Sequence, residues 1–295
     1  MYCEFFGFSE KPFTITPNPN FIYLSGIHRE AFAHLLYGID SHAGFIALTG
    51  EVGTGKTTVL RTLLSQLSPE KYSSALIFNP CLSRGQLLAN ICEEFGVNPG
   101  KKTGFAYLEA LNRYLLEQNS AGRTVVLVID EAQNLKPEVL EQIRLISNLE
   151  TERDKLIQII LAGQPELEDV LARHDLRQLS QRITVRCRLT PMNLHDTGDY
   201  INHRIRVSGS RIPGLFSGGA VKKIYRFSRG TPRLINVACE QALLMAWTRE
   251  SLVVTPSIAA QVITQVAAEA RQGFSRRGLL RRISRWLFAG KRRRL

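Results

Sequence analysis

Residues 45–57 read FIALTGEVGTGKT, and their order of parts sets the fold. The apolar run FIAL, Phe45–Leu48, is what a strand covered on both faces looks like. GEVGTGKT, Gly50–Thr57, then fits the spacing G-x-x-x-x-G-K-[ST], and a helix-forming run begins inside it. Four fixed positions recur by chance in a chain of this length only about one time in a hundred, and the strand and helix on either side lower that further. Glycines at Gly50, Gly53 and Gly55 let consecutive backbone N–H groups turn inward, so Glu51, Val52, Thr54 and Thr58 join them in lining a phosphate cradle. Lys56 reaches the β- and γ-phosphates of such a ligand, and the Thr57 hydroxyl suits a Mg²⁺ ion.

Working outward, apolar runs alternate with helix-period segments: GKTTVLRTLLSQL, SALIFN, SRGQLLANICEEFG, FAYLEALNRYLLEQ, TVVLVID, PEVLEQIRLISNL, LIQIILAG, PELEDVLAR and VRCRLTPM. Short Ile/Val/Leu runs joined by amphipathic crossovers predict an α/β fold: a P-loop NTPase parallel sheet, doubly wound, with helices on both faces. Past Pro191 the strand-like runs stop, apart from the ambiguous SLVVT, and the pattern becomes helical in LHDTGDYINHRIRVSG, GGAVKKIYRFSRG, TPRLINVACEQALLMAWTRE and TPSIAAQVITQVAAEARQ. The expected domains are residues 1–190, a nucleotide-binding α/β domain with an N-terminal linker; 191–270, a small all-helical lid; and 271–295, a basic amphipathic tail.

TVVLVID carries an acidic pair at its end, Asp130 and Glu131. Two carboxylates at a sheet edge repel unless a cation joins them, so Asp130 suits the Mg²⁺ shell alongside Thr57. Glu131 is placed to orient and polarise an attacking water, which turns binding into hydrolysis. The plainer alternative is a carboxylate pair capping the next helix. The N-K-x-D signature of GTPases is absent from the sequence, which points to ATP as the nucleotide.

Composition bounds the rest. The five cysteines, Cys3, Cys81, Cys92, Cys187 and Cys239, are scattered and form no C-x-x-C pair, so neither a disulfide framework nor a zinc site is expected and a reducing cytoplasm fits. No window approaches a membrane span and MYCEFFGFSEKPF has no signal-peptide pattern, so neither secretion nor a transmembrane segment is expected. Lys+Arg number 38 against 26 Asp+Glu, a net charge of +12, but ten of the basic residues lie from Arg271 onward with no acidic one. The body is nearly neutral, and the basic excess belongs to the tail.

Beyond the phosphate loop, FFGFSEKPFTITPNPNFIYLSGIHREAFAHLLYGI, DEAQNL, LAGQPEL and RGTPRLINVACEQALL resemble the AAA+ ATPases of the ExeA type, the general secretion pathway protein A family, over residues 1 to about 270. The resemblance implies four further assignments. The stretch from Pro17 to Tyr23 would border the adenine, although Phe21 and Tyr23 are equally plain core aromatics. Gln164 matches the polar sensor that reads the γ-phosphate from the end of the fourth strand, with helix capping as its alternative. Arg233 matches the second sensor, a guanidinium of the lid that closes over bound phosphates, against a solvated helix-start arginine. Arg182 matches the arginine finger given to a neighbouring subunit's nucleotide; Arg177 competes for the role, and Arg186 and Arg188 crowd the same region.

These assignments imply a homo-oligomer, ring or filament, that hydrolyses ATP to assemble or position a cell-envelope secretion or export machine. Longer proteins of this type continue through a membrane span into a periplasmic peptidoglycan-binding domain; this sequence ends at Leu295 with only WLFAG as an apolar cluster, so direct cell-wall binding is not expected. In the tail, Leu279, Leu280, Ile283, Trp286 and Leu287 would share one helical face, with Arg276, Arg277, Arg281, Arg282 and Arg285 around it. Such a helix suits the anionic cytoplasmic face of the inner membrane. The alternative is a DNA-bound ATPase that regulates transposition (TnsC/TniB-like), in which the same basic residues meet phosphates. A helicase reading of DEAQ fails because the roughly hundred helical residues after the core are too few for a second motor domain.

Overall fold

The computed structural model describes residues 2–14, 19–78, 82–150, 155–210 and 212–268. The tail expectation, and part of the Pro17–Tyr23 stretch, lie outside them. The chain divides into two compact units, one running from Leu24 to Pro191 and the other combining the residues up to Tyr23 with those from Met192 on. This differs from the expected division at one end: the N-terminal segment packs with the helical unit, not the α/β unit. Its aromatics account for this, since Tyr2, Phe6, Phe8 and Phe13 join the helical unit's core.

A short helix α1 (Tyr2–Phe6) precedes the α/β unit. That unit then runs α2 (Gly26–Asp40), β1 (Phe45–Gly50), α3 (Lys56–Gln66), β2 (Tyr72–Ile77), α4 (Arg84–Glu94), α5 (Gly104–Ser120), β3 (Thr124–Ile129), α6 (Pro137–Ile146), β4 (Ile157–Gly163), α7 (Glu166–Leu171), α8 (Arg177–Arg182) and β5 (Ile183–Leu189). The five strands form one sheet in the order β2-β3-β4-β1-β5, every pair parallel. Leu48 stands beside Ala162 and Ile129 beside Leu161, so the carboxyl ends of β1, β3 and β4 emerge side by side.

Side chains alternate across a strand, and here each set has its own layer of helices. Phe45, Ala47, Val125, Leu127, Ile129, Ile159 and Leu161 pack with Leu87 and Ile91 of α4, Leu111 and Leu115 of α5 and Leu140 and Ile143 of α6. The alternate residues Ile46, Leu48, Val126, Val128, Ile160 and Ala162 pack with Leu35 and Ile39 of α2 and Val59, Leu60 and Leu63 of α3. Both faces are dry, which is why these strands read as unbroken apolar runs. The edge strand β5 instead turns Thr184, Arg186 and Arg188 to solvent, charges that discourage edge-to-edge pairing.

The helical unit contains α9 (Leu194–Val207), α10 (Gly218–Ser228), α11 (Pro232–Thr248) and a helix over 256–268, α12. SLVVT forms no strand, only a bridge from Val254 to Phe216. Its core takes in Tyr2, Phe6, Phe8 and Phe13 beside Ile201, Ile224, Leu243 and Val262. The Tyr2 hydroxyl donates to both carboxylate oxygens of Glu240 at 2.8 Å, and burial, then this carboxylate, pushes it well above the usual phenol range.

Arg204 is a buried cation in the same unit, stacked over Phe21 at 4.9 Å and Tyr200 at 5.6 Å, and donating to the Pro12 and Thr14 carbonyls and the Tyr200 hydroxyl. It ties the N-terminal segment to α9. Phe21 and Tyr23 therefore serve as packing aromatics of the helical unit. Among the described residues Cys3, Cys92, Cys187 and Cys239 are free thiols, and burial pushes Cys92 and Cys187 up to about 11. No helix among them is long and apolar enough to cross a membrane.

Candidate active site

The loop between β1 and α3 holds Gly50–Thr57 in a tight curl. Gly53 and Gly55 take positive φ, +80° and +104°, which side chains disfavour. Gly50 is needed for a different reason: a Cβ there would meet the Leu189 carbonyl oxygen of β5 at 2.7 Å. The Thr54 hydroxyl donates back to the Glu51 carbonyl at 2.8 Å and closes the turn.

Lys56 begins α3 and is 6% exposed. Its Nζ donates to the carbonyls of Gly50 at 2.6 Å and Glu51 at 3.1 Å. Burial pulls the ammonium below its usual range, and Glu131, Asp130, Glu51 and Glu166 counter that by favouring the charged form. A buried cation placed among glycine amides fits a polyphosphate. The neighbouring Thr57 hydroxyl donates to Asp130 Oδ2 at 2.7 Å, bringing two hard oxygens together. No cluster of three His, Cys, Asp or Glu suited to a metal occurs among the described residues, so a Mg²⁺ ion here would draw its remaining ligands from phosphate and water, its usual preference.

Asp130 follows β3 and Glu131 follows Asp130 in a left-handed conformation, φ +56°. The Glu131 amide donates to Asp130 Oδ1 at 2.9 Å. Glu131 Oε2 then receives two amides, Gln133 Nε2 at 2.6 Å and Gln164 Nε2 at 3.3 Å. Gln133 Oε1 in turn accepts from the Gln164 backbone N–H at 3.0 Å. Gly163, the last residue of β4, permits this approach, because a Cβ there would lie 2.7 Å from Gln133 Oε1.

The sheet order thus joins Lys56, Thr57, Asp130, Glu131 and Gln164 at neighbouring strand ends, where open α/β sheets bind ligands. Four arginines stand in other settings. Arg182 ends α8 and donates to Ser147 Oγ at 3.1 Å and to Asn148 Oδ1, just past α6. Arg186 is bound to Ser180, and Arg177 is exposed at the start of α8. Arg233 is exposed at the second position of α11, in the helical unit.

Sequence reasoning missed two residues. Gln133 was visible only as the last letter of DEAQ, and His28 as part of GIHREAF; neither spacing says that one bridges Glu131 and Gln164 or that the other touches the loop.

A family model described as an AAA domain matches residues 39–171, the span that holds the loop, the acidic pair and Gln164. General secretion pathway protein A of Aeromonas hydrophila is 49% identical to this chain over 252 residues. The chain carries an AAA domain and resembles that protein. The match covers 85% of the chain and 46% of the relative, so the chain spans about half that protein's length. Among solved structures, the Aeropyrum pernix ORC2 protein superposes with a TM-score of 0.65 at 16% identity, covering 87% of this chain and 71% of that one. CDC6P from Pyrobaculum aerophilum does so with a TM-score of 0.65 at 18% identity, covering 85% and 69%. At such identities the likeness is one of fold.

Proposed function

We propose that this AAA+ ATPase hydrolyses Mg²⁺-bound ATP at the β1, β3 and β4 strand ends to drive assembly or positioning of a cell-envelope secretion machine. The observation that carries the chemistry is the fixed Glu131 carboxylate beside Lys56 and the Thr57–Asp130 pair. Lys56 and the loop amides hold the phosphates. Thr57 and Asp130 would hold Mg²⁺, which offsets phosphate charge when bound. Glu131, steadied through Oε2 by Gln133 and Gln164, turns its other oxygen to an attacking water and takes its proton.

The secretion role rests on the 49% identity to general secretion pathway protein A. Action as a homo-oligomer would let Arg182, or Arg177 in its place, reach a neighbour's nucleotide, while Arg233 answers phosphate state from the lid. Lys56→Ala should lose nucleotide binding, whereas Glu131→Gln should keep it and lose about two or more orders of magnitude of turnover. Normal hydrolysis by Glu131→Gln overturns the assignment, and a pull-down with that variant identifies the partner machine.

The tail supports a peripheral site on the inner membrane. Even half of its ten basic residues would contribute roughly 5 kcal/mol at an anionic surface, at about 1 kcal/mol each. The full chain should pellet with anionic but not neutral vesicles at physiological salt, and a chain ending at Ala270 should not. Tail-dependent, steeply salt-sensitive binding to duplex DNA with no vesicle binding would favour the transposition-type reading instead.

A further inference from the structure

Behind the phosphate loop sits a buried imidazole to which the sequence assigns no role. His28 lies in the first turn of α2, 3% exposed, with Ser25 at 0% exposure as that helix's N-cap. Its Nε2 stands 2.8 Å from the Thr54 carbonyl oxygen and its Nδ1 2.7 Å from Ser25 Oγ. A carbonyl only accepts, so Nε2 carries the hydrogen; in the neutral ring Nδ1 then accepts the Ser25 hydroxyl hydrogen. The ring also fills the space beside Gly55, where a Cβ would approach Nε2 to 2.7 Å.

The consequence follows from peptide geometry. In a planar trans peptide the C=O and the next N–H point in opposite directions. Holding the Thr54 oxygen toward α2 therefore turns the Gly55 N–H away from α2, and Gly55 keeps φ at +104° to allow it. Thr54 is fully buried, and its hydroxyl and backbone N–H both donate to the Glu51 carbonyl, so the residue that carries this oxygen is itself held in place.

We propose that His28 is a positioning residue for the nucleotide: by fixing the Thr54–Gly55 peptide it presents the Gly55 N–H to the phosphates and presets the cradle for ATP. This rests on the nucleotide reading of the loop given above. The hydrogen bond donor matters, not the aromatic ring, because the carbonyl left unpaired could rotate and take the N–H with it.

The test compares His28→Gln, whose amide can reach the same carbonyl, with His28→Phe, which keeps a ring and loses the donor. In the full chain, the dissociation constant of a fluorescent ATP analogue with Mg²⁺ should rise about tenfold or more in His28→Phe and stay within about threefold in His28→Gln. KM for ATP should rise in parallel while kcat at saturation holds, since Glu131, Gln133 and Gln164 are untouched. Wild-type affinity in His28→Phe, or equal losses in both variants, overturns the proposal. If His28→Phe does not fold, Ser25→Ala decides: with an unchanged circular dichroism spectrum it should bind the analogue several-fold more weakly, and unchanged binding overturns the proposal. A wild-type chain that binds no better than Lys56→Ala overturns the nucleotide reading itself, and this proposal with it.

Discussion

Glu131 has two amide donors on one carboxylate oxygen, and they differ in reach: 2.6 Å from Gln133 and 3.3 Å from Gln164. Gln133 is the closer hold, and through its own carbonyl oxygen it also fixes the backbone of Gln164. A hydrogen bond to a charged group contributes about 1.5–3 kcal/mol, and about 1.4 kcal/mol corresponds to tenfold in rate. Gln133→Ala should therefore slow steady-state ATP hydrolysis by about tenfold or more while ATP affinity stays within about threefold, because Lys56 and the loop amides are unchanged. Unaltered turnover would show that Glu131 needs no such support. The acidic pair and the lysine were legible in the sequence because each is fixed by adjacency to a strand end or a glycine. Gln133 was not, since its partner Gln164 comes from another strand and only the β3–β4 pairing brings them together.

At the scale of elements, alternation decides what each strand residue contributes. Leu161 of β4 is fully buried against the α4–α6 layer, whereas Thr184 on edge strand β5 faces solvent. Leu161→Ala should cost about 2–5 kcal/mol of unfolding free energy, and Thr184→Ala should fall within about 0.5 kcal/mol of wild type, both read from urea denaturation. Equal costs would mean that the two-layer packing is wrong. Helix starts follow local chemistry: Ser83 and Gln86 form a capping box at α4, and Asn193 caps α9 by accepting from the Asp196 N–H at 2.8 Å. Strand and helix positions were legible from periodicity because burial on both faces forces unbroken apolar runs. β5 was expected from Val185 but begins at Ile183, since an edge strand alternates exposed and buried residues and its start carries a weaker apolar signal.

Across the whole molecule, two compact units divide the chain, and the N-terminal aromatics belong to the helical one. Phe6 is fully buried in the helical unit. Phe6→Ala should cost about 3–5 kcal/mol, and amide exchange should quicken in α9–α11 while β1, β3 and β4 keep their protection. Loss of protection confined to the sheet would assign the N-terminal segment to the α/β unit instead. The sequence alone determined the phosphate loop, the acidic pair, the alternation of strands and helices and the helical character after Pro191. Each of these is written in neighbouring residues, by spacing or by period. Tertiary structure alone decided the strand order, the Glu131–Gln133–Gln164 network, the hold of His28 on Thr54 and the membership of residues 2–14 in the helical core. Those depend on which distant segments share a surface, and loop closure and burial settle that choice over the entire chain, with no local pattern to announce it.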